Sequence, residues 1–198
     1  VVLLIAGGVL SAVALSTPDL GAPPGGRDDG GSEAAIATAV AANLAAQLVV
    51  RTHAVVTLSE HDLTVLVREN NPNPERVVDP QARVRDGLVV IDARTPFGPF
   101  TVDAVVRVAL LLSTGADGLP KVAAEFRAVQ LGGLGLPGFA ARALQDRIQQ
   151  TFDLQDLLSS NQALRLARSS LDCVGIGGGV VRLGFHRPGL AQAPGDCG

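Results

Sequence analysis

From Val1 to Pro18 the chain carries no charged residue, and the stretch that follows, Asp19–Gly31, is charge-bearing and rich in glycine and proline. Two such runs cannot share one globular element. The first is at home in an apolar medium. The second cannot bury enough apolar surface to offset the entropy of ordering its backbone. The junction therefore divides the chain into an apolar leader (1–18), a flexible tether (19–31), one folded domain (32–187) and a flexible tail (188–198). Val1–Leu15 falls short of the ~20 apolar residues that span a bilayer as a helix. The sequence contains no Met, so Val1 is expected not to be the initiator and the apolar run to begin upstream. Three readings stay open: an uncleaved anchor, a signal peptide cut after Ala12-Val13-Ala14, and a buried core helix. The first two put the domain on the extracytoplasmic side of a cell membrane, single-pass if anchored and secreted if cleaved.

A domain of this size can bury a substantial core. The net charge of -3 argues against an electrostatic nucleic-acid binder, which concentrates basic residues on one face. Cys173 and Cys197 are the only cysteines, and in an exported chain an even pair permits one disulfide.

The folded part opens with a helix. Ser32 is a candidate N-cap, and Ile36, Val40, Leu44 and Leu48 recur every four residues as an apolar stripe. Val49–Thr57 is β-branched and reads as a strand. Ser59 and Asp62 have capping-box spacing at the start of a second helix, which Asn70-Asn71-Pro72-Asn73-Pro74 ends. From Ala82 the hydrophobic period becomes two. Asp86-Gly87, Pro96–Pro99 and Ala116–Leu119 are turn signals separating the strands 82–85, 88–93, 101–113 and 121–130. Helical periodicity returns in Pro137–Phe152 and continues through Leu158. Leu164–Leu171 and Val180–Phe185 read as a last strand pair joined through Gly175–Gly179. Strands bracketed by helices indicate an α+β fold with a curved antiparallel meander packed on or around helices.

The hairpin 101–130 carries the functional signal. With an even-length loop, one face holds Val105, Ala109, Leu111, Val122, Ala124, Phe126 and Ala128. The other holds Val106, Val108, Leu110 and Leu112, opposite Lys121, Glu125 and Arg127. The first strand is then apolar on both faces. Either a helix covers the second face, or Val106, Val108, Leu110 and Leu112, with Leu111, Val122 and Phe126, line an elongated groove for an apolar guest.

Evidence for catalysis is thin. Ser59, His61 and Asp62 are the residue types of a hydrolase triad, but neighbours on one helix start are better suited to capping. Gly175–Gly179 lacks the surroundings of a dinucleotide loop. His53, His61 and His186 lack ligand spacing, so no metal, cofactor or catalytic residue is assigned. Asp103 and Glu125 are placed on opposite faces by parity, and Glu125 and Arg127 read as a solvated ion pair.

The leader, the Ser59-Glu-His-Asp-Leu-Thr64 helix start, the Asp-Gly hairpins and Leu131-Gly-Gly-Leu-Gly-Leu-Pro137 occur in an order that resembles the YpmS-type bacterial family of single-pass extracytoplasmic proteins. That family is similar to the TULIP-like (tubular lipid-binding) proteins. The resemblance spans about Val55 to Leu183. It implies a half-barrel around an acyl-chain cavity, and non-catalytic binding of lipid or another hydrophobic small molecule at the cell envelope. The alternatives are an envelope scaffold binding a protein through loops such as Asn70–Arg76, and a hydrolase built on Ser59 and His61.

Overall fold

The computed structural model describes residues 20, 32–71, 73–97, 100–132, 134–135, 162–189 and 197. The leader, nearly all of the tether, the expected helix Pro137–Phe152 and most of the tail lie outside the described residues.

Helix α1 (Glu33–Val50) begins as its sequence dictates, with Ser32 Oγ accepting from the Ala35 amide at 3.2 Å. Ile36, Ala37, Val40 and Leu44 form its buried stripe. The helix runs further than expected, taking in Val49 and Val50. The Arg187 guanidinium explains this, because it donates to the carbonyls of Leu48 (3.0 and 2.6 Å) and Val49 (3.0 Å), acceptors a helix end leaves open. Among the described residues α1 is the one helix long and apolar enough to cross a membrane, with mean hydropathy 1.6. By length and composition it is compatible with an anchor or signal, yet here its stripe packs into the domain core.

Strand β1 (His53–Ser59) follows, buried at Ala54, Val56 and Leu58. Helix α2 (Glu60–Glu69) starts on a complete capping box. The Ser59 amide donates to Asp62 Oδ2 at 2.8 Å and the Asp62 amide donates to Ser59 Oγ at 3.2 Å. Its N-terminal partner Glu60 accepts from the Val84 amide at 2.8 Å, tying α2 to the next strand.

Five strands make the larger antiparallel sheet in sequence order: β2 (Val78–Arg85), β3 (Leu88–Phe97), β4 (Phe100–Thr114), β5 (Pro120–Leu131) and the short β6 (Leu134–Gly135). The β2–β3 turn has φ of 51° at Asp86 and 72° at Gly87, the positive pair that an Asp-Gly hairpin requires. β2 is longer than expected because a bulge between Val78 and Gln81 absorbs Asp79, whose φ is 53°.

Instead of a strand at Leu164–Leu171, the chain forms helix α3 (Gln162–Ala167) and a 3-10 turn (Arg168–Ser170). Gln-Ala-Leu-Arg-Leu-Ala is made of strong helix formers, and that propensity outweighs its apolar alternation. The closing strands are β7 (Leu171–Gly177) and β8 (Val180–His186). Of the glycine run, only Gly178 and Gly179 form the turn, with φ of 61° and 78°.

β8 pairs with β1 as well as β7, giving a second, three-stranded sheet in the order β1-β8-β7. The fold is α+β with two antiparallel sheets rather than one meander. A single core joins the inner faces of both sheets to α1, α2 and Leu164 of α3. Cys173 of β7 is disulfide-bonded to Cys197, with Cα atoms 5.8 Å apart. The bond holds Cys197 against Gly175 and Gly184 on the outer face of the small sheet.

Candidate functional site

The β4–β5 hairpin corrects the expected face assignment. Its loop is five residues, Gly115 to Leu119, closed by the Gly115 amide donating to Leu119 O at 2.7 Å, and the first pair is Thr114 with Pro120. An odd loop moves the β5 side chains from Pro120 to Phe126 to the other face. Leu112 is therefore opposite Val122, Leu110 opposite Ala124 and Val108 opposite Phe126. A bulge between Arg107 and Val108 takes up Arg127 and restores phase, so that Val106 meets Val129. One coherent apolar face results.

That face is the domain core. Val106, Val108, Leu110 and Val122 are buried in it, and Phe126 packs half-buried against it. The four buried residues do not line an open groove. Two candidates remain at the surface, Leu111 at 45% exposure and Leu112 at 37%. They point to opposite faces of β4 near the hairpin end, where the core reaches Val122 opposite Leu112. With exposed Leu119 they make the hairpin end apolar on both sides. Arg168 holds this end in place: its guanidinium donates to both Asp117 carboxylate oxygens (2.7 and 3.2 Å) and to Pro120 O (2.9 Å). Just before Arg168, Leu166 is also exposed. The Leu119 amide first, and the Arg168 guanidinium after desolvation works against both, hold the Asp117 carboxyl below the usual aspartate range.

The second face of the large sheet sets polar side chains among buried Val90, Val105 and Ala109. Asp92 Oδ1 lies 3.5 Å from buried Arg83, which also donates to the backbone carbonyl of Leu20. Burial pushes the Asp92 carboxyl up, Arg83 pulls it down, and Asp103 pushes it up again. The tether residue Leu20 is thus seated at this face. Asp103 and Glu125 share it too, contrary to the parity expected, but Glu125 is level with Ala109, six positions along β4 from Asp103 or roughly 20 Å. Arg127 and Glu125 pair at 2.8 Å, both well exposed.

The remaining candidates are placed as follows. Ser59 and Asp62 are engaged with each other, Ser59 Oγ donating to Asp62 Oδ2 at 2.6 Å, in bonds that do not involve His61. His53 and His186, far apart in sequence, are direct partners across β1 and β8. His186 Nδ1 lies 2.7 Å from the buried carboxylate of Asp172. No group of three or more metal-ligating side chains occurs among the described residues.

One open depression was not foreseen. It lies between the C-terminal half of α1 and β1, encloses about 750 Å³, and is lined by Asn43, Ala46, Gln47, Val50, Arg51, Val55, Thr57 and Arg182. No local motif marks it, because only the pairing of β1 with the distant β8 makes β1 an edge.

No family model, curated protein or solved structure matches the chain.

Proposed function

We propose that this is a membrane-tethered, extracytoplasmic, non-catalytic domain that contacts lipid through the end of the β4–β5 hairpin. The observation that carries the reading is that Leu111 and Leu112, consecutive residues on opposite faces, are both exposed beside Leu119. A sheet that merely packs on a helix hides one face, whereas a ribbon end apolar on both faces suits a medium that surrounds it. Lys121, paired with Ser113 at the base of this end, adds a cation suited to anionic headgroups. The disulfide fits an oxidising compartment outside the cytoplasm. The charge-free leader supplies an anchor that keeps the ribbon near a bilayer at high effective concentration.

The YpmS-type and TULIP-like likeness belongs to this proposal. The long β4–β5 ribbon supports it, because its bulge increases coiling as a half-barrel needs. The packing of Val106, Val108, Leu110 and Val122 favours surface contact over an enclosed acyl chain.

The sequence has no tryptophan, so a single introduced one reports unambiguously. In full chain reconstituted into vesicles with phosphatidylglycerol, Leu112→Trp fluorescence should be quenched by brominated lipid, and Val49→Trp fluorescence should not. An unquenched Leu112→Trp overturns the proposal. Lipid retained by the detergent-purified chain in native mass spectrometry would favour the enclosed cavity instead.

A further inference from the structure

Among the described residues, strand β1 has a neighbour, β8, on one side only. A sheet edge presents unpaired N–H and C=O groups, and proteins normally blunt it with lysine, proline or a covering element. β1 reads His-Ala-Val-Val-Thr-Leu-Ser and has neither residue. What guards it at Val55 is a side chain. The Val55 amide donates to Gln47 Oε1 at 3.1 Å, and Gln47 Nε2 donates to the Val55 carbonyl at 2.9 Å. One acceptor and one donor from a primary amide reproduce the pair of bonds that a residue of an adjoining strand would make. The Gln47 side chain is mounted on α1, where its Nε2 also donates to Asn43 Oδ1 at 2.5 Å, so its bonds to Val55 can be exchanged without breaking the ladder to β8.

The depression beside this edge is open and lies between α1 and β1. One wall is α1, offering Ala46 and the 76% exposed Val50; the other is β1, offering Val55 and Thr57. Its charged lining residues are Arg51 and Arg182, with no acidic residue. We infer that the β1 edge is a docking site for an extended, acidic polypeptide segment that adds as a strand beside Val55 and displaces the amide of Gln47. The charge decides the occupant. A second copy pairing β1 to β1 would bring no carboxylate to the exposed Arg51, because β1 contains none. This site is remote in sequence from the hairpin end and does not depend on lipid contact there.

The test uses the full chain in detergent micelles and fluorescence anisotropy with two labelled octapeptides, alternating valine–glutamate and alternating valine–lysine. The valine–glutamate peptide should bind at least about tenfold more tightly. Val55→Pro removes the edge N–H, and it should abolish binding while circular dichroism stays unchanged. Gln47→Ala removes the competitor, and it should tighten binding about five- to tenfold, as expected for one or two weak hydrogen bonds no longer displaced. Arg51→Gln, on an exposed side chain, should erase much of the preference for glutamate over lysine. No binding of either peptide, equal binding of both, or weaker binding by Gln47→Ala overturns the inference. So does a concentration-dependent dimer that Val55→Pro dissolves, since that makes a second copy the occupant.

Discussion

Arg168 grips Asp117 across 51 residues of sequence with both arms of its guanidinium, at 2.7 and 3.2 Å, while its Nε donates to the Pro120 carbonyl at 2.9 Å. Three bonds from one side chain fix the hairpin end against the 3-10 turn. Arg168→Ala should leave the global unfolding transition nearly unchanged, because the loop it holds lies outside the core. It should speed amide exchange at Gly115 and Gly118, whose amides close the loop. Exchange measured by mass spectrometry checks this, and unaltered protection at Gly115 would show that the loop holds its own shape.

The hairpin shows what the sequence could and could not disclose. Alternation in 101–130 was plain, and so were the Asp86-Gly87 turn and the Ser59–Asp62 cap, because each is specified within a few residues. The loop length was not. Asp117-Gly118 suits four- and five-residue loops alike, yet the parity of that choice decides whether Val122 or Lys121 joins Leu112. Nor could local pattern show that β1 pairs with β8, which decides where the open edge lies. Of the groove candidates, Val106, Val108, Leu110 and Val122 are buried in the core, and Leu111 and Leu112 are exposed.

That distinction is measurable in the same strand. Leu110 is buried and Leu112 is 37% exposed, two residues apart on one face. Leu110→Ala should cost about 2–5 kcal/mol, because its cavity cannot collapse fully. Leu112→Ala should cost under about 1 kcal/mol. Urea denaturation of both variants checks this, and similar costs would mean that the core extends to the ribbon end.

Gly184 sits beneath the disulfide. A Cβ there would clash with Cys173 Sγ and lie 3.1 Å from Cys197 Sγ, so the bond lies against bare backbone. Gly184→Ala should force the strand or the disulfide to move, at about 1–3 kcal/mol for overpacking. A further loss of about 3 kcal/mol is expected if the bond fails to form, given the 24-residue separation it closes. Thiol titration separates the two cases, and an oxidised Gly184→Ala of unchanged stability would contradict the close packing.

Asp92 makes stability depend on pH in the direction opposite to an ordinary ion-paired carboxylate. Burial raises its folded pKa above the ordinary 3.8, and Arg83 at 3.5 Å only partly offsets that. Between 3.8 and the raised folded value, the native state binds more protons than the unfolded chain. Stability from this group therefore falls as pH rises through that window. The penalty is absent below the window and complete above it. Asp92→Asn keeps the shape and cannot ionise, so the stability of the variant relative to the parent should grow as pH climbs above 3.8 and level off once pH exceeds the raised folded value. Urea denaturation of both proteins across that range checks the sign. A difference that is flat, or that shrinks with rising pH, would mean that Arg83 outweighs burial and holds Asp92 as a stabilising carboxylate.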